Sequence, residues 1–148
     1  LIALLPRFGV HVTLAHPAGF DLQPEVLEAA HRGAAEGGGA FRVVSSMAEG
    51  ISGAHVVYAK SWGSMEFMRD RAAQFSGGKT SNNAEKETAA LASWAALASD
   101  WEYNEEKRKL TSNCNALYMH CLPADISGEN VAKGEVAKET FERDRLNM

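Results

Sequence analysis

Four short apolar runs, each cut off by turn residues, limit what this chain can fold into more than any other feature. Val10-His11-Val12-Thr13-Leu14-Ala15 ends in His16-Pro17-Ala18-Gly19, and Phe41-Arg42-Val43-Val44 ends in Ser45-Ser46. Ala54-His55-Val56-Val57-Tyr58-Ala59 ends in Lys60-Ser61-Trp62-Gly63, and Ala116-Leu117-Tyr118-Met119 ends in His120-Cys121-Leu122-Pro123. Runs this short, rich in β-branched and aromatic residues and bounded by Gly, Pro and Ser, read as strands. Helical segments lie between them. Residues 1–8 carry apolar side chains at helical spacing and stop at Gly9, a C-cap residue. Pro24 stands where a first helical turn tolerates it, ahead of Glu25-Val26-Leu27-Glu28-Ala29-Ala30-His31, and Gly37-Gly38-Gly39 then breaks the chain. Met47 opens a short helix or turn, and Leu91, Trp94, Ala98 and Trp101 form one stripe of an amphipathic core helix. Glu105-Glu106-Lys107-Arg108-Lys109, acidic first and basic last, reads as a solvated helical face. A charged helix over residues 135–146, with Val136 and Phe141 as its apolar contacts, closes the pattern. Short apolar strands alternating with helices predict an α/β fold of three layers, a parallel sheet with helices on both faces.

Composition narrows the function classes. The 148 residues suit one domain with a real core. Fifteen Lys and Arg against 19 Asp and Glu give a net charge of −4. A nucleic-acid or anionic-membrane partner would ask for a basic excess instead. The apolar start Leu1-Ile2-Ala3-Leu4-Leu5 stops at Pro6-Arg7, far short of the ~20 residues that span a bilayer. The two cysteines, Cys114 and Cys121, form no C-x-x-C pair and have no clustered ligands, so neither a zinc site nor a disulfide framework is expected. A reducing, cytoplasmic setting follows as the default, with no metal and no cofactor. The chain opens on Leu1 inside what reads as the end of a helix, so it is expected to be part of a longer protein.

Ligands of open parallel sheets gather outside the carboxyl ends of the strands. Three of the four ends here carry groups that bind or polarise a substrate: His16, Lys60 and His120-Cys121. His120 and Cys121 are adjacent, so their side chains leave to opposite sides and cannot pair as nucleophile and base. One reading is a strand end with a buried thiol and a capping imidazole. The other makes His120 a donor to an oxygen where negative charge develops, and frees the Leu122 carbonyl for an N–H group because Pro123 ends the ladder.

Tyr118-Met119-His120-Cys121-Leu122-Pro123-Ala124 resembles the H-C-L-P signature of the aspartate/ornithine carbamoyltransferase superfamily. Arg7-Phe8-Gly9-Val10-His11-Val12-Thr13-Leu14-Ala15-His16-Pro17 resembles the helix, strand and turn that open that family's second domain. The stretch from Ala54 to Met65 resembles the strand and loop that hold the second substrate. Residues 116–128 look most like the knotted, YgeW-type branch, and residues 60–115 are the place for the extra chain such a knot needs. The resemblance implies a Rossmann-like second-substrate domain over residues 1–148, incomplete at its N-terminus. It implies carbamoyl transfer from carbamoyl phosphate to an amine or amide nitrogen, without metal or other cofactor. It also implies a homotrimer with sites between subunits. By the same resemblance His120 touches the carbamoyl oxygen, Cys121 and the Leu122 carbonyl orient the carbamoyl group or attacking nitrogen, and Pro123 shapes the turn. Lys60, Trp62, Ser64, Met65 and His16 would meet the acceptor.

The departures are as informative. Ornithine enzymes carry D-x-W-x-S-M-G where this chain reads Lys60-Ser61-Trp62-Gly63-Ser64-Met65-Glu66. Their Asp pairs with the acceptor's α-ammonium. A lysine there would set like charges together, so ornithine is not the expected acceptor. Lys60 is either a solvated loop lysine or the partner of an anionic group on the acceptor. The family's phosphate-binding S-x-R-T-R run is missing from this chain, which alone is expected to be inactive. His16 is either a turn residue or a substrate contact, and Trp62 a packing anchor or a cleft wall. His11 and His55 are structural. A non-catalytic α/β binding or interaction domain is the rival class. A nucleotide-binding module is disfavoured, since no G-x-G-x-x-G follows a strand.

Overall fold

A computed structural model describes residues 1–60, 65, 69, 72–73, 100–121, 124, 126 and 133–145. Two compact units emerge, Leu1–Gly50 and Ile51–Met148, each built on one parallel pair of strands. No described helix is long and apolar enough to cross a membrane.

The first unit is a strand–helix–strand turn. A 3₁₀ helix, Leu5–Phe8, ends on Gly9 in the left-handed region (φ 78°), the C-cap its sequence announces. Strand β1 (His11–Ala15) leads to helix α1 (Pro24–Gly37) and strand β2 (Ala40–Val44), and short helix α2 (Met47–Ile51) follows. β1 and β2 pair in parallel from His11 opposite Ala40 to Ala15 opposite Val44. The helix outruns the apolar stripe that predicts it. It continues through Gly37 and is capped by Gly38 at φ 73°, so the glycine run is helix end and cap rather than open loop. Gly37 has a packing reason: a Cβ there would fall 2.3 Å from the carbonyl carbon and oxygen of Arg7. Only a bare backbone lets the 3₁₀ helix lie this close to α1. Ala30, Ala34 and Phe41 form the core, with Ile2, Val12, Leu14 and Leu27 packed around it. The His31 ring meets Phe41 edge-on, centroids 5.0 Å apart.

In the second unit, strand β3 (Val56–Ala59) pairs in parallel with β4 (Leu117–His120), from Val56 opposite Leu117 to Ala59 opposite His120. Helix α3 (Glu105–Arg108) starts on Asn104, whose side chain accepts from the Lys107 amide at 3.1 Å. A 3₁₀ turn, Ser112–Cys114, then leads into β4. Two bonds tie this connection to the approach to β3: Gly53 N–H donates to Leu110 O and Ser112 N–H to Ala54 O, both at 2.9 Å. Helix α4 (Lys138–Asp144) begins later than its charge pattern suggests. Val136 first forms an isolated parallel bridge with Tyr103: Tyr103 N–H reaches Glu135 O (3.0 Å) and Ala137 N–H reaches Tyr103 O (2.9 Å).

Two expectations are modified here. The 105–109 run is not simply a solvated face. Lys107 is half-buried and its Nζ donates to the carbonyls of Asp100 and Glu102, while Glu105 pairs with Arg143 and accepts from Thr140 Oγ1 at 3.1 Å. Partial burial pulls the Lys107 pKa below the ordinary lysine range. Of the expected core stripe, Trp101 is half-buried, and Leu91, Trp94 and Ala98 lie outside the described residues.

Candidate functional site

The carboxyl ends of β3 and β4 lie side by side. Ala59 is opposite His120 in the last pair of the ladder, and Lys60 and Cys121 are the residues that follow, at the sheet's rim. Lys60 is exposed and Cys121 half-buried. The Cys121 thiol is free, and Sγ donates to the Ala59 carbonyl across 3.8 Å. Strand alternation splits the rim into two faces. Val56, Tyr58, Leu117 and Met119 occupy one face and are all exposed, with Cys121 next in that series. Tyr118 and His120 project from the other face.

His120 thus turns away from Cys121, as adjacency requires. Its side chain is 0% exposed, and Nε2 lies 3.1 Å from Glu135 Oε1, a carboxylate only 6% exposed. That is ion-pair distance, without the alignment of a hydrogen bond, and among the described residues Nδ1 has no hydrogen-bond partner. The ring sits 6.2 Å from Tyr118 and 6.5 Å from Phe141, nearly perpendicular to the latter. Behind it Tyr103 and Tyr118 stack in parallel at 5.2 Å, each 1% exposed. Burial, then the nearby Glu135 carboxylate, drive the Tyr118 pKa far above the ordinary phenol range, so this side of the sheet holds neutral phenols.

The other expected site residues divide as follows. His16 belongs to the first unit, where Nδ1 lies 2.9 Å from Pro17 O and Nε2 3.9 Å from Asp21. Its ring is thereby held within its own turn. Met65 is helical and half-buried. Trp62, Ser64, Leu122 and Pro123 lie outside the described residues. An acidic cleft of about 360 Å³, lined by Asn104, Glu105, Glu106, Ala137, Glu139 and Thr140, contains none of the expected site residues.

Reasoning from the residues overlooks Glu135, which reads as one more charge of a surface helix; its burial accompanies the Tyr103–Val136 bridge, a contact between distant parts of the chain.

The family model for the aspartate/ornithine carbamoyltransferase Asp/Orn binding domain matches residues 1–145. The protein named "Putative carbamoyltransferase YgeW" of Escherichia coli strain K12 is 44% identical over 146 residues, which is 99% of this chain and 37% of that protein. Ornithine carbamoyltransferase of Hyperthermus butylicus is 31% identical over 133 residues, 90% of this chain and 35% of the relative. This chain therefore spans little more than a third of the curated relatives it matches. A variant N-acetyl-L-ornithine transcarbamylase complexed with carbamyl phosphate and N-succinyl-L-norvaline shares the fold at TM-score 0.66 and 24% identity, over 95% of this chain and 35% of its own. Ornithine carbamoyltransferase from Pyrococcus furiosus does so at TM-score 0.64 and 21% identity, over 93% of this chain and 35% of its own. With parallel strands, the H-C-L-P sequence and a match over nearly its whole length, this chain belongs to the aspartate/ornithine carbamoyltransferase family, in its Asp/Orn binding domain.

Proposed function

We propose that this chain is the acceptor-binding part of a longer carbamoyltransferase. The enzyme would move a carbamoyl group from carbamoyl phosphate to an amine or amide nitrogen of a small acceptor that is not ornithine. One observation carries the reading: Lys60 and Cys121 each follow the last paired residue at the carboxyl ends of adjacent parallel strands. An exposed ammonium there attracts an anionic group on the acceptor and repels the α-ammonium of ornithine. Solved relatives complexed with carbamyl phosphate and an amino-acid analogue support the substrate pair.

The chemistry runs by addition and elimination. The acceptor nitrogen gives its lone pair to the carbamoyl carbon, and the carbonyl oxygen takes negative charge. The C–O bond to phosphate then breaks, and phosphate leaves with the electron pair and takes up the proton that the nitrogen gives up. Fixed donors around the oxygen and a held acceptor lower this barrier. Lys60, with Trp62, Ser64 and Met65, holds the acceptor, and Cys121 with the Leu122 carbonyl orients the reacting groups. His120, shut from solvent beside Glu135, has first the task of anchoring the end of β4 and second that of touching the carbamoyl oxygen, and Pro123 is assigned to the substrate-binding set with Leu122 before it. His16, held within its own turn, has the weakest claim on the acceptor. The phosphate clamp comes from chain outside these residues, in a cytoplasmic homotrimer, and the 148-residue chain alone does not turn over.

The test is phosphate release from carbamoyl phosphate by the full-length protein across a panel of amines and amides. Lys60→Ala should raise KM for the acceptor about tenfold with little change in kcat, as expected when a charge-assisted contact made equally in ground and transition state is lost. An unchanged KM refutes the role of Lys60. Calorimetric binding of an adenine nucleotide in place of carbamoyl phosphate refutes the transfer itself.

A further inference from the structure

The transfer reading gives Glu135 no task, yet its carboxylate meets a residue of the H-C-L-P sequence. His120 Nε2 and Glu135 Oε1 lie 3.1 Å apart, and both side chains are buried. Glu135 is held there by a part of the chain distant in sequence. Tyr103 N–H donates to the Glu135 carbonyl, and Ala137 N–H donates to the Tyr103 carbonyl, so the segment is pinned on both sides of Val136. The imidazole also meets the rings of Tyr118 and Phe141, with centroids 6.2 and 6.5 Å away. A neutral imidazole carries one proton, on either nitrogen. Here the two choices are unequal. An ionised carboxylate has lone pairs and no proton, so a bare Nε2 would set lone pair against lone pair at 3.1 Å, with little water to screen them. A proton on Nε2 turns that repulsion into attraction, even where the N–H is imperfectly aligned. The proton belongs to the ring rather than to the carboxyl, because imidazole is the stronger base by about two pH units.

We propose that Glu135 is a positioning residue that keeps the His120 proton on Nε2, leaving Nδ1 as the ring's open valence and fixing the end of β4 from which Cys121 follows. The consequence for catalysis rests on the carbamoyl-transfer reading; the place of the proton does not. Among the described residues Nδ1 has no hydrogen-bond partner. So placed, it accepts an N–H when the ring is neutral and donates only when the ring is charged. His120 would then touch the carbamoyl oxygen as an imidazolium, and the carbamoyl NH2 group as a neutral ring.

The test is nitrogen NMR of the full-length protein carrying isotope-labelled histidine. The His120 signals are identified by their loss in His120→Gln, and the shift of each ring nitrogen tells whether it is protonated or bare. Nε2 should stay protonated from about pH 6 to about pH 9, so that Nδ1 is the nitrogen that changes. In Glu135→Gln the carboxamide donates as well as accepts, so the proton should be shared between the two nitrogens. With the amine or amide that wild type uses best, the same variant should lose about tenfold in kcat/KM. A wild-type Nε2 that gives up its proton overturns the proposal before any variant is made. A Glu135→Gln spectrum with the wild-type tautomer overturns it too. A shifted tautomer with unchanged kcat/KM overturns the positioning role. If wild type transfers no carbamoyl group to any acceptor, the transfer reading fails, and the nitrogen shifts alone decide whether Glu135 places the proton.

Discussion

The two strand pairs of this molecule solve the same packing problem with opposite materials. Around β1 and β2 the interior is apolar and small: Ala30, Ala34 and Phe41, with glycine where the 3₁₀ helix meets α1. Around β3 and β4 the covered side is rich in polar groups. His120, Glu135, Thr140 and Asp144 are buried there with two stacked tyrosines, while Val56, Tyr58, Leu117 and Met119 face outward. Burying polar groups costs stability unless they are paired. The first pair therefore reads as scaffold, and the second as a place where stability is given up to hold particular groups still.

That contrast can be broken in order of effect. The largest should come from Glu135→Ala, which leaves the His120 ring buried without its carboxylate. A loss of about 3 kcal/mol is expected in denaturant unfolding, as for one-sided removal from a buried pair. A loss below about 1 kcal/mol would mean that the polar interior is not held by this contact. Next comes Gly37→Ala in the scaffold. Its new methyl meets the Arg7 backbone, which cannot swing aside as a side chain could, so about 2 kcal/mol of overpacking strain should appear in the same measurement. A neutral result would show that the 3₁₀ helix slides freely on α1.

A smaller, pH-dependent effect belongs to Glu105. Partial burial works against its charge, but hydrogen bonds from Arg143 and Thr140 and the Arg143 charge outweigh it, so its pKa lies below the ordinary carboxylate value. A carboxyl with a depressed folded-state pKa contributes stability above its unfolded pKa and loses it as pH falls through the folded one. Glu105 is about half exposed, so Glu105→Gln should cost under about 1 kcal/mol near neutral pH and nothing in acid. An equal cost at both pH values would show that the carboxylate's charge is irrelevant. The smallest effect is expected from Met119→Gln on the outward face, within about 0.5 kcal/mol in either direction. A large loss would show that this face is covered in the assembled protein.

Much of this arrangement can be read from local signals. Pro24 at the start of α1, Gly9 as a left-handed cap, and the places of the four strands all follow from residues within a few positions of each other. So does the divergence of His120 from Cys121, because strand alternation is a local rule. The readings that shifted were those where a distant partner intervenes. Glu105, Lys107 and Glu135 carry charges that a periodic pattern assigns to water. Arg143, the carbonyls of Asp100 and Glu102, and the His120 ring claim them instead.

The amino-acid order alone therefore decides where strands and helices fall and which groups stand at the strand ends, since propensity, capping and alternation act over a few bonds. Tertiary structure decides which face of the second sheet is buried and which carboxylate meets His120. These depend on contacts between residues tens of positions apart, and one charged side chain looks like another until the fold supplies or withholds its partner.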